Sequence, residues 1–156
     1  MDAAALAAIR HLLDTERILT LAVNVDGSPV AALLPYAVSA DGASLFVHAS
    51  GLARHTRGLT DGAIVGVAVH QPATPDRDAM QIPRLTVEAT VRVLARDTAA
   101  GEAAAERLVA RFPAAATTLA LPDFVLVALE LGRGRYVEGF ARAVNVGPGV
   151  LVTGRR

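Results

Sequence analysis

The chain has 156 residues, 53% apolar and 19% charged, with zero net charge; this suits one globular domain over 1–156 and gives no broad pull toward nucleic acid or an anionic membrane. All 15 basic residues are arginine and cysteine is absent, which excludes lysine Schiff bases, thiol nucleophiles, thiolate metal sites and disulfides. No apolar run is long enough to cross a membrane and no basic signal segment opens the chain, so a cytoplasmic protein is expected.

Ala3 to Leu13 is rich in helix formers and sets Leu6, Ile9, Leu12 and Leu13 on one face, predicting a helix over 3–13. Ile18 to Val25 alternates with period two, and Asp26-Gly27 is the strongest hairpin signal in the chain. Val30 to Val38 is the returning strand, with Pro35 marking a bulge or an edge. Asp41-Gly42 is a second turn and Leu45 to His48 a third strand. Ser50 is expected to cap a short helix that carries Leu52, Ala53 and Leu59 inward and closes at Gly62. Ala63 to His70 reads as a strand, and Gln71 to Pro83, with its prolines, as a surface loop. Arg84 to Arg96 is a long strand, and Thr98 caps a helix that Pro113 ends. Phe124 to Leu131 is the most apolar strand, Gly132 and Gly134 predict a turn, Arg135 to Phe140 is a last strand, and 143–156 is a tail. Tight turns cannot join parallel neighbours, so the class is mainly β, an antiparallel barrel of about six strands with flanking helices.

Arg54, His55, Thr56 and Arg57 gather at the start of the expected short helix. Helix amides, guanidiniums, an imidazole and a hydroxyl suit a phosphate or a carboxylate; the same residues also suit a solvated basic face. The four histidines have no metal-binding spacing, so no metal is expected. Asp76 and Asp78 sit on the Pro-rich loop as solvated acids. No Ser–His–Asp order can be assembled, and no catalytic acid or base is assigned.

Four segments in order, LTLAVNVDGSPVAALLPYAVSADG, LFVHASGLARHTRGLTDG, PRLTVEATVRVL and YVEGFARA, resemble the FMN-binding split-barrel family typified by pyridoxamine 5′-phosphate oxidase. Within it they are most similar to the haem-utilisation (HugZ-type) subgroup. The resemblance implies a split barrel, a homodimer, FMN as cofactor and a flavin-dependent oxidoreductase acting on a small molecule. Ala53, Arg54 and His55 stand where the oxidases have Ser-Arg-Lys on the FMN phosphate. Ser50, Leu52, Ala53, His55 and Thr56 match the Ser-x-Leu-Ala-x-His-Thr run of HugZ-type proteins. Arg84 stands where the oxidases place a cofactor-contacting glutamine and HugZ-type proteins an arginine near haem. The implied cofactor binders are therefore Ser50, Arg54, His55, Thr56, Arg57 and Arg84, with haem as the alternative to FMN and a cofactor-free interaction module as a third reading. The oxidases' second-strand arginine is replaced by Val30-Ala31-Ala32-Leu33, and no histidine follows His70. Vitamin B6 oxidation and axial haem ligation by a late histidine are therefore not expected. The homodimer also draws on the strand Phe124 to Leu131, whose apolar faces ask for cover.

Overall fold

A computed structural model describes residues 1–139 and 142–151. Phe140 and Ala141, in the last expected strand and the YVEGFARA segment, and the tail residues 152–156 lie outside the described residues. The elements are α1 (Ala3–Thr15), β1 (Ile18–Val25), β2 (Ser28–Pro35), β3 (Ala37–Val38), β4 (Ser44–Ser50), β5 (Ile64–His70), β6 (Arg84–Leu94), α2 (Ala99–Arg111), α3 (Ala115–Leu119), β7 (Phe124–Val137) and β8 (Ala143–Val146). Two 3-10 turns, Arg54–Gly58 and Ala79–Gln81, follow β4 and precede β6.

The strands form one antiparallel sheet in the order β2-β1-β5-β6-β7-β4-β3, with β8 added to β7. Its outer strands β2 and β3 are consecutive in the chain and separated only by Tyr36, so the sheet curls until the chain itself bridges its split. The split barrel with flanking helices is thus borne out, built from eight strands rather than about six. Two differences add a strand each. The long second strand breaks at Pro35, where the chain leaves β1 and pairs β3 with β4 instead. The tail expected after the last strand contributes β8.

A third difference runs the other way. Gly132 and Gly134 do not make a turn; β7 continues through them to Val137. The register between β6 and β7 shifts at Glu88, between Val87 and Ala89, which is a bulge rather than a reversal. Gly134 is required there because a Cβ would overlap the Thr86 carbonyl oxygen and Val87.

Alternation fills the interior. Leu19, Leu21, Val23 and Val25 of β1, Val65, Val67 and Val69 of β5, and Leu85, Val87, Ala89 and Val91 of β6 are buried with Leu45, Val47, Val127 and Leu129. Helix α1, capped by Asp2 on the Ala5 amide at 2.7 Å, adds Ile9, Leu12 and Leu13. On the other side of β7, helix α2 packs Ala104 and Leu108 over Leu126. The strand Phe124 to Leu131 is therefore covered on both faces within the chain, and the apolar surface offered as a reason for a second copy is not there. At the turn between β1 and β2, Asp26 and Gly27 take φ of 52° and 77°, as a two-residue hairpin demands.

The end of α1 is tied across the chain. Arg111 donates to the carbonyls of Leu13 (3.3 Å), Asp14 (3.1 Å) and Glu16. Its guanidinium lies 4.9 Å from the ring centroid of buried Tyr36, whose hydroxyl donates to the Leu13 carbonyl at 2.9 Å. Burial pushes the Tyr36 pKa well up, against the opposing pull of Arg111. Among the described residues, no helix is long and apolar enough to cross a membrane.

Candidate functional site

The expected helix after β4 is a five-residue 3-10 turn whose N-cap is Ala53, without a side-chain cap. Ser50 does not cap it, because it still pairs with Phe124 at the end of β4. Its hydroxyl donates to Asp123 and accepts from the Leu52 amide, each at 3.2 Å. Leu52 is 91% exposed rather than inward, while Leu59 is buried as expected. A single tight turn has no useful macrodipole, so any anion here is held by side chains.

Those side chains divide into two groups. The Thr56 hydroxyl donates to the Ser50 carbonyl at 2.6 Å and ties the turn to β4. Arg57 forms an ion pair with Asp26 on the β1–β2 hairpin. Arg54 is exposed and makes no hydrogen bond or ion pair among the described residues. His55 is half-buried, and its Nε2 is enclosed without a hydrogen-bond partner. Burial lowers the pKa of His55, so near neutral pH it offers a neutral imidazole rather than a cation. Ser50, Thr56 and Arg57 thus shape the turn, and Arg54 and His55 keep free capacity.

Arg84 lies elsewhere. The turn packs on the β1–β2 hairpin, with Gly58 against Val23 and Asn24, and just after it the Gly62 amide donates at 2.8 Å to the Val91 carbonyl, toward the end of β6 far from Arg84. From Arg84 to Val91 the strand runs roughly 20 Å, so one small anion on one chain cannot meet both. Arg84 faces outward beside its cross-strand neighbour His70. Its Nη1 donates to the carbonyls of Met80 (2.8 Å) and Ile82 (3.2 Å), pinning the end of the Pro-rich loop. Its Nε and Nη2 have no hydrogen-bond partner among the described residues, leaving donors for a ligand.

His48 belongs to neither group. Its Nε2 is 2.8 Å from the Thr118 hydroxyl, its ring lies 5.6 Å from that of Phe124, and its Nδ1 is enclosed without a partner. Burial, and then the Arg96 charge, lower its pKa. A folded-state pKa below the ordinary value of 6.5 means that the unfolded chain takes up protons first. Stability is complete above that value and is lost as pH falls below it. Denaturant midpoints measured at pH 7.5 and 5.5 are expected to drop on the acid side, and His48→Gln is expected to flatten that drop while keeping the contact to Thr118. An unchanged slope assigns the drop to other groups. Among the described residues no three His, Asp or Glu side chains come close enough to hold a metal.

The family model of pyridoxamine 5′-phosphate oxidase matches residues 5–138. Over 146 residues the chain is 28% identical to the heme oxygenase HutZ of Vibrio cholerae, covering 92% of this chain and 82% of that protein. The crystal structure of HutZ, described as a heme storage protein, aligns with a TM-score of 0.71 at 24% identity, over 80% of this chain and 88% of that one. A heme binding protein from Mycobacterium smegmatis aligns with a TM-score of 0.84 at 21% identity, over 97% of this chain and 61% of that longer one. The FAD and heme binding protein of the same organism aligns at 0.64 with 22% identity, over 90% and 80% of the two chains. At these identities the three structures speak for the fold.

Proposed function

The chain belongs to the pyridoxamine 5′-phosphate oxidase family, and on that premise we propose that it is a haem-binding protein of the haem-utilisation kind, working as a homodimer. The observation that carries this reading is the likeness to HutZ, which runs over nearly the whole chain. The residues fit such a ligand. Haem carries two carboxylates; the exposed guanidinium of Arg54 offers one of them a charge, and His55 beside it in the turn offers a hydrogen bond once its enclosed Nε2 is uncovered. Arg84 reaches the same ligand from a second copy, since within one chain it stands at the opposite end of the sheet. When bound, haem supplies a redox-active iron; the chain supplies binding, orientation and control of water access.

Titration with haemin, followed in the Soret region, tests the reading. A saturable Soret shift at one haemin per chain supports it; haemin absorbance that never departs from that of free haemin overturns it. A flavin reading stands second because the same donors suit a phosphate. The protein would then be an FMN-dependent oxidoreductase of a small molecule, and FMN would bind at least about tenfold more tightly than riboflavin, about 1.4 kcal/mol. Failure of both ligands leaves the cofactor-free interaction module.

Arg84→Ala is expected to weaken haemin binding about tenfold, about 1.4 kcal/mol, the low end for a charge-assisted contact because part of the guanidinium is already spent on the Met80 and Ile82 carbonyls. Its position at a strand start leaves the core untouched, so the thermal midpoint is expected to hold. Unchanged haemin affinity removes Arg84 from the site.

A further inference from the structure

A haem iron is held by histidine, cysteine thiolate, methionine or tyrosine. The chain has no cysteine, and both tyrosines, Tyr36 and Tyr136, are buried in the core. Four histidines and two methionines remain. The histidines differ in what their ring nitrogens can do. His48 spends Nε2 on the Thr118 hydroxyl and has an enclosed Nδ1. His55 has an enclosed Nε2. His11 is exposed on α1, with neither ring nitrogen hydrogen-bonded among the described residues. His70 is exposed and also fixed: its Nδ1 lies 2.7 Å from the Gln71 carbonyl oxygen. A carbonyl can only accept, so Nδ1 carries the proton and Nε2, across the ring, keeps its lone pair. Metal-ligating histidines are oriented in this way, one ring nitrogen donating to a carbonyl and the other presented to the metal.

The surroundings of His70 suit the same ligand. The Gln71 carbonyl is itself held, because the Gln71 amide donates to the Pro83 carbonyl at 3.0 Å and closes the base of the Pro-rich loop. Arg84 pins that loop again at Met80 and Ile82. His70 and Arg84 are cross-strand partners, and both point outward, since their neighbours Val69 and Leu85 are buried. The Cβ atoms of such a pair are about 5 Å apart, so the open lone pair of His70 and the free donors of Arg84 stand side by side. Apolar cover lies next to them. Met80, on the loop that Arg84 pins, is 71% exposed, and Ile18 is 47% exposed. Thr20 pairs with Ala68, and the same register carried two residues on brings Ile18 level with His70.

We propose that Nε2 of His70 is the axial ligand of the haem iron, supplied by the same copy as Arg84. The inference rests on the haem-binding reading and names the residue that holds the metal. Arg84 then meets a carboxylate with Nε and Nη2, Met80 and Ile18 give the ring apolar contact, and Arg54 and His55 of the other copy meet the remaining carboxylate.

The test is resonance Raman spectroscopy of the full chain loaded with haemin and then reduced, read for the iron–histidine stretching band with and without isotope-labelled histidine. Wild type is expected to show the band, moved by the label. His70→Ala is expected to lose it and to bind haemin at least about tenfold more weakly. Added imidazole is expected to restore a band that the label does not move. His70→Gln, which keeps size and polarity but does not ligate, is expected to behave as His70→Ala does. His70 is an exposed strand end, so circular dichroism of both haemin-free variants is expected to match wild type. Arg84→Ala is expected to weaken binding and keep the band, which separates holding the carboxylate from holding the iron. Met80→Leu is expected to keep the band as well. A labelled band that survives in both His70 variants gives the iron to another histidine and overturns the proposal. So does haemin-loaded wild type without the band, which gives the iron to water or to Met80. Either result leaves the haem-binding reading in place. Wild type whose haemin absorbance never departs from that of free haemin overturns that reading and this inference with it.

Discussion

Replacing Arg54 and His55 together by alanine is expected to weaken haemin binding about a hundredfold, about 2.7 kcal/mol. The figure combines a charge-assisted contact from Arg54, worth about 1.5–3 kcal/mol, with a neutral hydrogen bond from His55, worth about 1 kcal/mol. His55 contributes the smaller share because burial keeps it uncharged. The single variants complete a cycle that isolates their coupling, which is expected because both meet one carboxylate. Haemin dimethyl ester, which lacks the carboxylates, supplies the control. Wild type and double variant should bind it alike, and both more weakly than wild type binds haemin. If the double variant loses ester and acid equally, the turn shapes the protein and does not touch the ligand's anionic end.

Arg111→Ala is expected to destabilise the fold by about 3 kcal/mol, lowering the thermal midpoint by roughly 6–12 °C for a chain of this size. The guanidinium serves three carbonyls at the end of α1 from 95 or more residues away, and lies over the ring of Tyr36. Removing it leaves carbonyls short of donors beside a fully buried tyrosine. Arg111→Lys is expected to recover less than half of the loss, because an ammonium cannot serve the fork of acceptors or stack on the ring in the same way. Chemical denaturation of the three proteins decides. A loss within about 0.5 kcal/mol of zero means that water replaces the guanidinium at no cost.

Much of the barrel was legible because period-two alternation is a local signal. Leu19, Leu21, Val23 and Val25 face the core as their spacing says, and Asp26-Gly27 reverses the chain where it should. What escaped depended on partners distant in sequence. Two glycines in three residues read as a turn, yet β7 runs through them because a bulge of Gly132 and Arg133 opposite Glu88 absorbs the extra residue and Gly134 lets β6 approach. Ser50 read as a helix cap because nothing local reveals its pairing with Phe124. Phe124 to Leu131 read as an uncovered strand because α2, which covers it, comes from an alanine-rich stretch with only Ala104 and Leu108 buried on that side.

The candidate site divides in the same way. Residue types singled out Arg54, His55, Thr56 and Arg57, but which of them keep free donors is decided by Asp26 and the Ser50 carbonyl. Arg84 was placed with them by resemblance, and only the register shows it at the other end of the sheet.

The path of the sheet also sets the order in which it can form. The β1–β2 hairpin is complete once residue 35 has been made, and β5 adds to it before any helix is needed. Strand β4 waits far longer: about 80 residues of sequence separate it from β7, the only strand that fills its long side, and such distant pairings are slow to form. Until β7 arrives, both β4 and β6 present open edges rich in valine and leucine. The same strand zips both edges shut, so a chain released or cut before residue 124 has nothing to close them. Refolding is expected to be limited by the docking of β7, and stalled or truncated chains are expected to aggregate through the edges it leaves bare.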